Sequence, residues 1–311
     1  MKKVLGVLFA LLVILLLIPV LFYFFQPNHI VSKQQAKQDL SSPNSHFLNW
    51  KGAEIHYVDE GSGFPVLMIH GFGGAYTNFS KLSDLMKNDY RVIRIDLPGF
   101  GLSDFPPVKE GENYLGDYAE YISFILDTLH LDSVYVIGNS MGGAVTWMSA
   151  VNHPEKVKKI VLLDPAGYDS EQIANKLAMF KFKSVRNIFG KGMPLFMSWQ
   201  GIRTAYYRDN EIKEENVIRN NEFTNREGNI THMLNLALSK QFPDTALIQQ
   251  VHTPTLIVWG TEDEIIPLSH AERFHRDIKG SELALIDSCG HCPMMEDAEK
   301  TKDLVEKFFR E

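Results

Sequence analysis

Five consecutive residues, Gly138-Asn139-Ser140-Met141-Gly142, set a serine two positions from a glycine on either side. An apolar run at 134–137 precedes them and a helical pattern follows, so Ser140 falls on a sharp strand-to-helix turn. Side chains two residues either side of such a turn would collide, hence the two glycines. A serine held this way projects clear of a sheet, and the helix behind it turns its positive N-terminal end toward any oxyanion formed there. The chemistry on offer is nucleophilic attack on a carbonyl. The same pentapeptide also occurs in glycine-rich turns that merely pack a helix on a strand; its flanks here favour the nucleophile.

A serine hydroxyl is a poor nucleophile without a base. Of 11 histidines, His291 in Ser288-Cys289-Gly290-His291-Cys292-Pro293 directly follows the last apolar run, where a loop can reach back to Ser140. A carboxylate must orient that histidine and stabilise its charged form. Asp263, after the apolar run at 255–259, is preferred over its neighbours Glu262 and Glu264. Acyl transfer also needs two preorganised donors, each worth about 3 kcal/mol of barrier. The Met141 backbone N–H is one; the second is Phe72, in the glycine-rich His70-Gly71-Phe72-Gly73-Gly74 after the run at 65–69. Gly71, Asn139, Met179 and Phe180 are the candidate substrate contacts. Nothing in this set calls for a metal or cofactor. Cys289 and Cys292 bracket His291, but two cysteines make no disulfide framework and no further zinc ligands stand nearby. Two independent small residues is the simpler assignment, with a disulfide as the alternative outside the cytoplasm.

The elements that must position these groups follow a rhythm of short apolar runs and helical patterns. Strands are expected at 47–50, 53–58, 65–69, 91–95, 133–137, 159–163, 255–259 and 282–286, and helices at 79–87, 115–129, 141–152, 268–277 and 298–309. β-rich runs alternating with helices imply a mainly parallel eight-stranded sheet covered on both faces. The strand rhythm stops for about 85 residues between 165 and 251, too long for a structureless connection, so a helical cap inserted after the sixth strand of the sheet is expected. The division is then core at 46–164 and 252–311, with the cap at 165–251.

Charge and hydropathy are unevenly spread over the 311 residues. Residues 4–25 carry no charge, and about 22 residues at about 1.5 Å each match a bilayer's hydrocarbon thickness. The run is longer than a signal-peptide core and no small-residue cleavage site follows, so a single-pass anchor is expected rather than a cleaved leader. Lys2 and Lys3 favour a cytoplasmic N-terminus and a catalytic domain outside the cytoplasm, periplasmic in a bacterium. Residues 26–45 are Gln-, Ser- and Asn-rich and are expected as a flexible linker. The net charge of -7 argues against nucleic-acid binding. Against that sign, residues 172–208 hold Lys176, Lys181, Lys183, Arg186, Lys191, Arg203 and Arg208 with no Asp or Glu, interleaved with Leu177, Met179, Phe180, Phe182, Phe189, Phe196 and Trp199. Such a mix suits a surface resting on anionic headgroups; it equally suits a cap interior with a solvated cationic face.

Taken in order, His70-Gly71-Phe72-Gly73, Asp96-Leu97-Pro98-Gly99-Phe100-Gly101-x-Ser103, Gly138-Asn139-Ser140-Met141-Gly142-Gly143, Asp263 and Gly290-His291 resemble the α/β-hydrolase superfamily in its cap-bearing branch. The resemblance covers residues 47–311 and implies the fold and a Ser140-His291-Asp263 triad. Serine at 140 departs from the epoxide hydrolases and haloalkane dehalogenases, whose nucleophile is aspartate. The elbow is similar both to the meta-cleavage carbon-carbon hydrolases and to bacterial lipases and membrane-anchored monoacylglycerol lipases. The former usually carry Trp after the histidine; Cys292-Pro293-Met294-Met295-Glu296 is more similar to the lipase and esterase pattern. The resemblance, with the anchor, implies a small-molecule ester or lipid substrate, with carbon-carbon hydrolysis or a noncatalytic membrane-tethered receptor as alternatives.

Overall fold

The computed structural model describes residues 6, 13, 14, 17, 29–106, 114–169, 181, 182, 186, 187, 189–239 and 244–311. The chain enters through α1 (Lys33–Leu40) and the strands β1 (Ser45–Trp50), β2 (Ala53–Gly61) and β3 (Phe64–Ile69). Next come α2 (Ser80–Met86), β4 (Tyr90–Ile95), α3 (Tyr114–Thr128), β5 (Val134–Asn139), α4 (Met141–Asn152) and β6 (Val157–Leu163). Helices α5 (Leu195–Ala205), α6 (Glu214–Thr224) and α7 (Asn229–Leu238) intervene before β7 (Thr255–Gly260), α8 (Ser269–Asp277), β8 (Glu282–Ile286), α9 (Pro293–Glu296) and α10 (Ala298–Arg310).

The eight strands form one sheet in the order β1-β2-β4-β3-β5-β6-β7-β8. β1, β2 and β4 pair antiparallel, and from β4 through β8 every pair is parallel. The expected sheet is therefore the observed one. Its central strands are apolar throughout because both faces are covered: Leu67, Ile69, Ile160, Leu162, Ile257 and Trp259 enter one core, and Val66, Met68, Val161, Leu163, Leu256 and Val258 the other. The two-residue alternation of β geometry assigns each side chain to its layer. Strand order reverses at β3 and β5, so the carboxyl ends of these neighbours open a crevice, the place where open α/β sheets bind ligands.

Two expectations need correction or placement. The linker expected at 26–45 contains α1, capped by Ser32, whose Oγ accepts the Gln35 N–H. Ala36 and Leu40, one helical turn apart, are buried against Val58, Tyr76 and Phe223. Ahead of it, Val31 exchanges backbone hydrogen bonds with Asn225 and Glu227, so this stretch is a docked strap. Only two apolar positions signal the helix, too few to stand out from polar surroundings. The apolar run at 4–25 lies almost wholly outside the described residues; among the described residues no helix is long and apolar enough to cross a membrane.

Candidate active site

Ser140 sits between β5 and α4 with φ 56° and ψ −119°, a left-handed conformation that a non-glycine residue adopts only under constraint. The constraint is visible in its backbone: Ser140 N–H donates to Leu163 O at 3.0 Å, and its carbonyl accepts from Ala144 at 3.1 Å and Ala166 at 2.9 Å. A Cβ on Gly138 would lie 2.1 Å from Thr146 Oγ1, and one on Gly142 would lie 2.2 Å from Ile69 O. The two flanking glycines are thus demanded by helix-to-strand packing, as the motif implied.

His291 is buried, and its Nδ1 lies 2.7 Å from Asp263 Oδ2. With the carboxylate as acceptor, Nδ1 carries the proton and Nε2 is left to act as base. Asp263 Oδ1 in turn accepts the N–H groups of Ile265 at 2.7 Å and Ile266 at 3.0 Å, so its carboxylate is oriented by its own turn. Glu262 and Glu264 are exposed, which separates them from Asp263. The His291 backbone is fixed as well: its N–H donates to Ala205 O at 2.8 Å and its carbonyl accepts Asn139 Nδ2 at 2.9 Å. That amide also donates to Leu163 O at 3.1 Å. Asn139 borders the cavity, but its buried amide ties the histidine loop to β5 and β6, so positioning, rather than substrate contact, is what its hydrogens do.

Phe72 and Met141 border the same cavity as Ser140 and His291. Met141 opens α4, where the first N–H groups have no intrahelical acceptor. The Phe72 loop is held by two buried histidines and an aspartate. His70 Nδ1–H donates to Gly71 O at 2.7 Å, leaving His70 Nε2 to accept Leu97 N–H at 3.0 Å. Burial keeps His70 neutral by lowering its pKa, as that acceptor role requires. Asp96 accepts Tyr76 N–H at 2.6 Å and Leu102 N–H at 2.8 Å and pairs with His56 at 2.7 Å. Burial alone would raise the Asp96 carboxyl; His56, His70 and these donors hold it below the usual range. The two glycine-rich motifs before the elbow are in this way one scaffold.

A cavity of about 1190 Å³ lies over Ser140 and His291. Its wall includes Met141, Met193, Met197, Met233, Met295 and Leu236, with Lys81, Lys213 and Arg219 at polar positions. Gly71 borders it beside Ser140. Met179 and Phe180 lie outside the described residues. In the cationic segment, Phe182 and Phe196 are exposed at 66% and 67%, whereas Phe189 is buried in a cluster with Ile230 and Leu234. Cys289 and Cys292 are free, buried thiols; burial pushes both pKa values up, so neither is an activated nucleophile.

Two site residues were not singled out from sequence. Asp164, at the end of β6, is wholly buried beside Asp263, and the aspartate closing Val161-Leu162-Leu163 was the available signal. Glu296 is buried and collects N–H groups from Gly290 at 2.6 Å and from Tyr207 and Arg208 at 2.7 Å each. No spacing rule marks it. Among the described residues, oxygens of Asp164 and Asp263 and a ring nitrogen of His291 are also near enough to one another to hold a cation. Backbone N–H groups and the imidazole already engage them.

The sequence profile of the alpha/beta hydrolase fold family matches residues 65–298. The chain is 30% identical over 282 residues to a 2-hydroxy-6-oxononadienedioate/2-hydroxy-6-oxononatrienedioate hydrolase of Escherichia coli, covering 85% of this chain and 95% of that relative. Among solved structures it is similar to a thermophilic esterase from Thermogutta terrifontis, with 25% identity, a TM-score of 0.69, and coverage of 83% of this chain and 94% of that one. It also shares its fold with a membrane phospholipase A described as a bacterial virulence factor. That match has 21% identity, a TM-score of 0.72, and coverage of 100% of this chain and 98% of the other.

Proposed function

The chain belongs to the alpha/beta hydrolase fold family and is a serine hydrolase, and from that premise we propose that it cleaves carboxylic esters of acylglycerol type. The observation that carries the proposal is the cavity at Ser140: about 1190 Å³, with five methionines among its lining residues. Unbranched, pliable thioethers accommodate flexible acyl chains of varied length better than they grip one rigid ring. Ser140 Oγ attacks the ester carbonyl as His291 Nε2 takes its proton, and the Phe72 and Met141 N–H groups bind the resulting oxyanion. His291 then gives the proton to the leaving alcohol, and water, deprotonated by the same nitrogen, releases the acid. Asp263 stabilises the imidazolium in both halves.

Carbon-carbon hydrolysis is the second reading, favoured by the 30% identical dienedioate hydrolase and by Arg219, Lys81 and Lys213 on the cavity wall, which suit an anionic substrate. A substrate series separates the two. Monoacylglycerols and p-nitrophenyl esters of graded chain length should give kcat/KM at least about 100-fold above that of a ring-cleavage dienoate, a gap of about 3 kcal/mol. A dienoate turned over faster than every ester overturns the ester assignment.

Localisation follows from the same proposal: residues 4–25 anchor the chain and the catalytic domain lies outside the cytoplasm. The exposed Phe196, Leu195 and Tyr207 and the Arg203 guanidinium, stacked 5.5 Å from the Trp199 ring centre, form the cap surface that meets headgroups. Protein lacking residues 1–26 should bind anionic vesicles more tightly than neutral ones, and added salt should weaken it. Equal, salt-independent binding to both would remove the cap from the membrane surface.

A further inference from the structure

The acid position of this site holds two carboxyls. Asp164 stands at the carboxyl end of β6, wholly buried, with its backbone in the left-handed region at φ 43°. Its Oδ1 accepts Gly260 N–H at 2.9 Å, while its buried Oδ2 has no hydrogen-bond partner among the described groups. An oxygen of Asp164, an oxygen of Asp263 and a ring nitrogen of His291 all lie within 4.8 Å of one another. Around Asp164 stand Asp263 from the loop after β7, and Cys289, His291, Cys292 and Glu296 from the segment after β8. Lysine and arginine are absent from that set.

Two carboxylates in so dry a place cannot both ionise, and one retains a proton. Asp263 accepts from His291 and from two backbone N–H groups, whereas Asp164 accepts from one. Burial and the Asp263 charge push the Asp164 carboxyl far above the ordinary carboxylate range. The unpartnered Oδ2 is then the atom left to bear the proton, and an Asp263 oxygen stands within 4.8 Å of an Asp164 oxygen to accept it.

We propose that Asp164 is a second, reserve carboxyl of the acid position: it donates its O–H to Asp263 to hold that carboxylate toward His291, and it becomes the partner of the imidazole when Asp263 is removed. It rests on the assignment of Ser140, His291 and Asp263 given above. In the takeover the Asp164 proton passes to solvent, and the His291 Nδ1–H turns to the carboxylate left behind.

The test measures p-nitrophenyl butyrate hydrolysis by the full chain between pH 5 and 9. Asp263→Ala should lower kcat about 100-fold, short of the roughly 10,000-fold cost of mispairing the imidazole where no second carboxyl stands near. Adding Asp164→Asn to it should remove about another 100-fold. Alone, Asp164→Asn keeps an acceptor for Gly260 and a donor for Asp263 and should lower kcat about threefold, whereas Asp164→Ala should lower it about tenfold at unchanged KM. A second readout separates this from a packing role. A carboxyl whose folded pKa is raised binds a proton that the unfolded chain has lost, so it costs stability as pH climbs above about 4. The melting temperature of Asp164→Asn should therefore gain on the wild type as pH rises. A double variant no slower than Asp263→Ala overturns the takeover; wild-type kcat in Asp164→Ala, or a pH-independent melting difference in Asp164→Asn, overturns the proton donor. If Asp164→Ala does not fold, the asparagine variants still decide. Ser140→Ala measured alongside separates the causes: activity there removes the triad assignment itself, while an inert Ser140→Ala with flat Asp164 variants removes only this proposal.

Discussion

Ser140→Ala should yield a folded protein whose ester turnover is at least about 10,000-fold below wild type. The size of the effect follows from what remains. Without Oγ no acyl-enzyme forms, so His291 can act only on water, and the site keeps binding and oxyanion donors alone. The fold should hold because Ser140 is tied by its backbone: the bonds to Leu163, Ala144 and Ala166 involve N–H and C=O groups that alanine retains. Its left-handed φ of 56° costs alanine about what it costs serine. The same variant should lose covalent labelling by a fluorophosphonate, which reads the nucleophile without any substrate choice. Labelling or turnover at wild-type level in a folded Ser140→Ala protein would remove the nucleophile, and with it both the ester and the carbon-carbon mechanisms.

How much of this molecule could be read from its sequence depended on whether the signal was local. The eight strands were legible because central sheet strands are buried on both faces, which leaves runs such as Thr255–Gly260 with no exposed residue to break them. The turn at Ser140 was legible because it requires glycines at fixed offsets, and the places of His291 and Asp263 in the fold because each follows a strand whose end had already been located. The strap at 33–40 was not, since its apolar burial runs through Ala36 and Leu40 while the rest of the helix is polar. Asn139 lay inside the motif and borders the cavity, but only coordinates show its amide turned to Leu163 and His291. Asp164 and Glu296 share the general difficulty. A buried acid in sequence looks like a solvated one, and what distinguishes it is a set of donors delivered from segments more than 80 residues away: Gly260 to Asp164 across 96 residues, and Tyr207 to Glu296 across 89.

The Glu296 arrangement leads to the second large effect, this time on stability and activity together. Its two oxygens receive Gly290 N–H on one side and Tyr207 and Arg208 N–H on the other, with Cys289 Sγ 3.5 Å from the first. One buried carboxylate therefore joins the loop that carries His291 to the chain leaving helix α5, beside the bond from His291 N–H to Ala205 O. Glu296→Ala strands three backbone donors, one buried at Gly290 and two half-buried at Tyr207 and Arg208, each costing about 1–3 kcal/mol when left unmet, so a loss of about 3–5 kcal/mol is expected after partial relaxation. In a domain of this size that is a fall of roughly 10 °C in melting temperature. Glu296→Gln should recover little, because one of its two polar ends becomes an N–H₂ group facing N–H donors. Both variants should also lower kcat at temperatures where they remain folded, since His291 and the segment after α5 lose a common anchor, whereas Glu299→Ala, on the exposed side of α10, should leave both quantities alone. Calorimetry with ester kinetics at 15 °C decides the matter: wild-type melting in Glu296→Ala would mean that the three N–H groups find other acceptors, and lowered melting with wild-type kcat would mean that the His291 loop keeps its place without its tie to the segment after α5.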